Sequence, residues 1–453
     1  MTVVVNTRDD FTLANFRRVC YGGEPVRLGV QARRALAEAA RRRAVPGRPG
    51  SENAREHRRA ADDAGFGGGY LGEPVARGIV FACLAGWVTG QTAVRLITAE
   101  RVAALLGGPL PRVPSGGPAG VGGAAWMARV LGHDDLEAAG EGLLTGGAAC
   151  AAALAADTAV HARHRLEHAE AICALSIEAF GAPLGAYDEA LDDLWGDVHE
   201  TAALRALRRH LGDAGTDGRR FHQAPVSYRI VPRVLGQAHR AVAAVEKAAA
   251  VALRSVTSDV LYLSGPPGGT ADLEVRGGSF LNGMVYPALN ALSAAWADLA
   301  LVTERQITAL NTAETSGLPV NLAVPGAPRS GTYAYGWAAS GYVEEARAAA
   351  TPALLPAAAR DPLTDVLPPT LSAYHRQRRA AECLDGVLAI LMIVSSQALF
   401  VTDRSPAKPL QPLLSFARSM FPPIDGTSER DLSADGGLLQ QALGAAALTG
   451  HLV

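Results

Sequence analysis

The stretch GGSFLNGMVYPALNALSAAWADLALVTERQITALNTAETSGLPVNL, residues 277–322, decides the fold class. Between 284 and 315 its apolar residues recur at three- and four-residue spacing, the period of one helix face. The same pattern, rich in alanine and leucine, marks 147–181, 232–261, 336–355 and 374–402. Five helices of this length predict an all-α bundle. Strand-like runs are few, VLYL at 260–263 being the clearest, and no repeat of 20 to 50 residues is present.

Outward from that core the pattern loosens. Arg27 to Arg43 reads as a helix, and VPGRPGSENAREH after it reads as a loop. Two glycine-dense stretches, 65–72 and 115–123, read as turns. The chain is therefore divided into an N-terminal region, 1–141, a central long-helix bundle, 142–402, and a proline-rich wrap, 403–453, expected to fold as one cooperative unit.

Composition limits the function. Of 453 residues 49% are hydrophobic and 19% charged, which excludes a wholly disordered chain. A formal charge of −2 argues against nucleic acid and anionic membrane as partners. Lys247 and Lys408 are the only lysines, so few groups can form a Schiff base. Five scattered cysteines without a CxxC pattern indicate neither a disulfide framework nor a zinc cluster, and fit a cytoplasmic protein. The N-terminus lacks the basic start and long apolar run of a signal peptide. The most apolar segment, 386–400, falls short of the roughly 20 residues that span a bilayer, so no membrane span is expected.

Generic motifs give little chemistry. His161, His164 and His168 lie at helical spacing and could chelate a metal. Arg163 and Arg165 alternate with them and repel cations, so a solvated helix face is the competing reading and no metal site is assigned. No phosphate-loop order and no G-x-S-x-G elbow occurs.

Residues 277–322 also resemble the histidine and phenylalanine ammonia-lyase family. Its Gly-Gly-Asn-Phe-His-Gly turn, Ser-Glu-Arg-Arg-type helix end and Gly-Leu-Pro-x-Phe-Leu segment are matched at Gly277, Gly278, Phe280, Glu304, Arg305, Gly317, Leu318, Pro319 and Leu322. Upstream, QAPVSYRIVPRVLG at 223–236 resembles another family segment through Gln223, Ser227, Arg229, Pro232, Val234 and Gly236. Downstream, 330–346 resembles a helix with a Ser-Gly start and a late glutamate, here Glu344. The resemblance implies a long-helix bundle of the fumarase/aspartase type, and a homotetramer whose pockets borrow residues from neighbouring chains.

Family chemistry rests on a methylidene-imidazolone electrophile made from an internal Ala-Ser-Gly. The matching stretch, VPSGGPAGVGGAA at 113–125, puts Val121, Gly122 and Gly123 on that tripeptide. Gly122 has no hydroxyl to eliminate, so the group is not expected and no cofactor is assigned. A literal Ala-Ser-Gly at 339–341 falls inside an apparent helix and is read as chance. The catalytic-tyrosine loop has no counterpart in 44–65, Asp62 stands for a histidine, Gly146 and Gly147 for an Asn-Gly pair, Ser279 for the turn asparagine, and Tyr374, His375 and Arg376 for a Gln-Glu-Asp run. Ordinary ammonia elimination is not expected.

The remaining candidates carry acid–base and anion-binding chemistry. Arg229 could clamp a carboxylate or enolate, or form a structural ion pair. His375 could act as general acid or base with Tyr374 as proton donor, or stand as a surface residue near a helix start. Gln223, Ser279, Asn282 and Asn321 could orient a substrate, while Phe280, Tyr70, Trp87 and Trp126 could wall it or simply pack. Two functions follow: a cofactor-free cyclase, isomerase or lyase acting on an unsaturated or aromatic small molecule, or a non-catalytic relative that binds a ligand or partner protein.

Overall fold

A computed structural model describes residues 1–42, 69–92, 94–110, 112–115, 147–216, 218–219, 223–258, 260–263, 273–324, 331–355, 366–425 and 432–449. Its elements run β1 (Val3–Val5), α1 (Leu13–Cys20), β2 (Val26–Leu28), α2 (Val30–Arg42), α3 (Glu73–Trp87), α4 (Leu96–Leu105), α5 (Gly147–Phe180), α6 (Ala190–Trp195), α7 (Val198–Leu211), α8 (Val226–Arg229) and α9 (Val231–Arg254). Then follow β3 (Val260–Leu263), β4 (Leu273–Arg276), α10 (Val285–Asn311), α11 (Ala313–Ser316), α12 (Tyr333–Ala349), α13 (Thr370–Val401), α14 (Gln411–Met420) and α15 (Leu432–Thr449). The protein is all-α in class, as its apolar periodicity predicts.

One correction concerns the start of the expected helix at Arg27. Residues 26–28 form a strand instead, paired in parallel with β1 in the register Val3↔Val26 and Val5↔Leu28. Their alternating buried and exposed side chains fit a pleat, and the helix begins at Val30. Likewise α9 stops at Arg254, short of 261, and Val260 pairs with Arg276 in a β3–β4 hairpin.

The structure separates into two compact units, with divisions inside α5, α9, α10 and α13 and one just after α12. The first comprises Met1–Val160, Ala244–Leu289 and Pro352–His375. Thr12 starts α1 by accepting the Asn15 N–H at 3.1 Å. Buried Arg77 of α3 then gathers the chain around it, donating to the carbonyls of Val19 at 3.1 Å, Gly108 at 3.3 Å and Leu106. Those carbonyls lie at or just beyond the C-terminal ends of α1 and α4, where unsatisfied oxygens attract a cation. Phe11 and Phe16 pack on Phe81, with ring centroids 4.7 and 6.5 Å apart.

The second unit comprises His161–Ala243, Asn290–Thr351 and Arg376–Val453. Arg165 meets Asp385 through two bonds of 2.7 and 2.8 Å, with both side chains buried. Glu178 accepts from Arg219 and from the Ala407 N–H, while Gly181, at φ 69°, ends α5. Helices α10 and α13 are long and apolar enough to cross a membrane by length and composition. The apolar window of α13 is 89% buried within the chain and that of α10 50%, so α13 is built as a core helix. Each fully buried leucine or isoleucine there contributes about 1.5–3 kcal/mol, which outweighs the modest helix propensity of its valines and isoleucines.

Candidate active site

In the first unit, a short chain pairing prepares the site. Leu71 N–H donates to the Val113 carbonyl at 2.8 Å and Ser115 N–H to the Gly69 carbonyl at 2.9 Å, holding Tyr70 opposite Pro114. Tyr70 is 58% exposed, with the Arg112 guanidinium 5.4 Å from its ring centre. Ser115 presents its carbonyl to His375 Nε2 at 2.9 Å. A carbonyl only accepts, so Nε2 carries the proton and the lone pair of the neutral ring sits on Nδ1. His375 lies in the second turn of α13 and is exposed, so a fixed ring offers one defined basic nitrogen.

Tyr374 differs from its sequence reading. Its side chain is in the core, and its hydroxyl donates to Asp157 Oδ2 at 2.8 Å. The proton expected to reach a substrate is held by a buried carboxylate. Tyr21 donates to the other oxygen of Asp157, and burial followed by that carboxylate pushes the Tyr21 phenol upward.

Ser279 spends its single hydroxyl proton on the Ser258 carbonyl at 2.6 Å, which leaves its oxygen as an acceptor only. Asn282 Oδ1 accepts the N–H groups of Met284 at 2.9 Å and Val285 at 3.1 Å, and so starts α10. Its carbonyl end is thereby structural. Trp87 is core, while Trp126, Gly122, Gly146, the 44–65 loop with Asp62, and the side chain of Phe280 lie outside the described residues.

The second unit holds Arg229, Gln223 and Asn321, so neither unit alone joins Arg229 to His375. Arg229 is exposed and its Nε donates to the Ala224 carbonyl at 3.0 Å, which leaves the two terminal nitrogens of its fork directed elsewhere. Its neighbours are rigid. Tyr228 is fully buried and stacks on Phe180 at 4.3 Å, and Gln306 donates to the Ser227 carbonyl at 3.0 Å. Gln223 is exposed. Asn321 sits in the left-handed region at φ 52°, its carbonyl accepting from Thr332 N–H at 2.9 Å. Gly331 is required there, because its φ is 39° and a Cβ would lie 2.2 Å from that carbonyl oxygen.

Among the described residues no group of three or more histidine, cysteine and acidic side chains is arranged to hold a metal ion. Burial, then Arg165 and His164, push His168 down to about 4. All five cysteines are free thiols, and burial pushes Cys83, Cys150 and Cys173 up to about 12, so none of these three is a ready nucleophile.

The sequence profile of the aromatic amino acid lyases matches residues 136–419. The chain belongs to that family. It is 28% identical over 410 aligned residues to a histidine ammonia-lyase of Symbiobacterium thermophilum, covering 81% of this chain and 78% of that protein. With the histidine ammonia-lyase of Geobacillus thermodenitrificans it shares 26% over 511 aligned residues, covering 97% and 98%. The crystal structure of histidine ammonia-lyase from Trypanosoma cruzi superposes with a TM-score of 0.83 over 99% of this chain and 94% of that one, at 20% identity, a likeness of fold.

Val121, Gly122 and Gly123, which the resemblance sets on the family's electrophile-forming tripeptide, carry no hydroxyl and lie outside the described residues. The alternative serine, Ser340, lies inside α12 and donates to the Gly336 carbonyl at 3.1 Å, so cyclising its backbone would break the helix.

The sequence did not single out Ser115, Asp157 or Tyr21. Asp157 carries one signal, a lone acid in the otherwise apolar run AAALAADTAV, since a buried charge needs a partner.

Proposed function

We propose that this aromatic amino acid lyase relative is a cofactor-free acid–base enzyme, which cyclises, isomerises or eliminates from an unsaturated or aromatic small molecule. The observation that carries this reading is the His375 ring fixed on the Ser115 carbonyl, which gives an exposed base with one defined tautomer. Nδ1 takes a proton from the substrate, Nε2 keeps its own, and the imidazolium returns the proton at the carbon or leaving group that needs it. Arg229 supplies a cation for a substrate carboxylate or developing enolate, and the protein works as a cytoplasmic homotetramer. Gln223 and Asn321 orient the substrate and Tyr70 packs against it.

Metabolites of cells lacking the gene, compared with cells given back wild type, His375→Ala or Arg229→Ala, test the proposal. Wild type restores a compound isomeric with the accumulating one, or lighter by a small leaving group, and folded His375→Ala does not. Restoration by His375→Ala contradicts the proposal.

A further inference from the structure

Three elements converge on one buried carboxylate beside the candidate base. Asp157, on α5, is 7% exposed. Tyr374 Oη, on α13, donates to its Oδ2 at 2.8 Å, and Tyr21 Oη, just past α1, donates to its Oδ1. Tyr374 directly precedes His375, and their rings lie 5.7 Å apart at 59°. The imidazole is thus bounded in two ways: its Nε2 is held by Ser115, and its ring stands against a phenol that cannot turn without leaving Asp157.

We infer that Asp157, with Tyr21 and Tyr374, is a positioning device that holds the first turns of α13 so that His375 presents Nδ1 in one orientation. The inference rests on the reading of His375 as the base. A carboxylate with two oxygens suits this role, because each oxygen anchors a different element. Tyr21 fixes Oδ1 to the end of α1, which in turn orients Oδ2 toward Tyr374. Charge-assisted bonds of this kind are short and direction-specific. A catalytic group displaced by about 1 Å can lose roughly a hundredfold in rate, so an anchor of this kind acts on turnover without touching substrate.

Diethyl pyrocarbonate, which acylates an unprotonated imidazole nitrogen, provides a substrate-free probe. Its rate of reaction at the His375 peptide is followed by mass spectrometry in wild type, Tyr374→Phe, Tyr21→Phe and Asp157→Asn, with circular dichroism confirming the fold. In wild type one nitrogen is hydrogen-bonded to Ser115 and only Nδ1 reacts. Tyr374→Phe and Asp157→Asn are expected to raise the rate several-fold as the ring leaves Ser115, and to cut restoration of the missing metabolite roughly ten- to a hundredfold. Tyr21→Phe, which leaves the Asp157–Tyr374 bond in place, is expected to change both by less. Wild-type acylation in Tyr374→Phe and Asp157→Asn overturns the positioning role, even where His375→Ala abolishes metabolite restoration and His375 therefore stands as the base. Faster acylation in those variants, together with full restoration by His375→Ala, keeps the positioning role and removes the base.

Discussion

Asp157 in the first unit and Asp385 in the second are buried almost equally, at 7% and 5% exposure, yet they are answered differently. Asp385 meets the guanidinium fork of Arg165, whereas Asp157 receives two phenol hydroxyls. A guanidinium cancels charge and knits helices, at a desolvation cost to both partners. Phenols stabilise a carboxylate while giving it no charge, and they bring with them the elements they stand on. The contrast separates a strut from an orienting anchor, and the anchor lies next to the candidate base.

Breaking the strut gives the largest effect. Asp385→Ala leaves Arg165 buried and unpaired, at a cost of about 3–5 kcal/mol in urea unfolding, and the double variant Arg165→Met/Asp385→Leu recovers most of it. Next is the pH dependence of the same region. His168, pushed down to about 4 by burial and by Arg165 and His164, is neutral in the folded protein and protonates first in the unfolded chain, near pH 6.5. Its contribution is present above pH 6.5 and is lost as pH falls from there toward 4, by about 3 kcal/mol in all. His168→Gln flattens that part of the stability profile, and an unchanged slope shows that His168 is not its source.

Smaller effects probe the anchor. Tyr374→Phe removes one hydrogen bond to a charged acceptor and costs about 2 kcal/mol in thermal unfolding, less than Asp385→Ala because Asp157 keeps Tyr21. Equal losses at the two aspartate sites would erase the distinction. Smallest is Asn282→Ala, which removes the cap of α10 at a cost of about 1 kcal/mol, while Asn282→Ser retains most of it.

The long helices were legible because their apolar period is sustained: 147–181 was expected and Gly147–Phe180 is found, 374–402 was expected and Thr370–Val401 is found. Residues 26–28 were not, since a three-residue strand has no period to read and its partner lies at Val3–Val5. Within the candidate site, His375 is singled out by the sequence through its place in the family pattern. Its partner is not, because Ser115 offers a main-chain carbonyl that any residue carries. Tyr374 reads in the sequence as a proton donor to substrate, but the contact that claims its proton, Asp157, is 217 positions away. Asn282 shows the same limit in reverse, a polar side chain in a family turn that is consumed by the backbone next to it.

Catalysis without an internally formed electrophile is decided by the intact mass of the purified protein that restores the missing metabolite. The unmodified 46.9 kDa chain is predicted, with activity, because Gly122 has no hydroxyl to lose. A mass lower by two waters in the active protein would contradict cofactor-free catalysis.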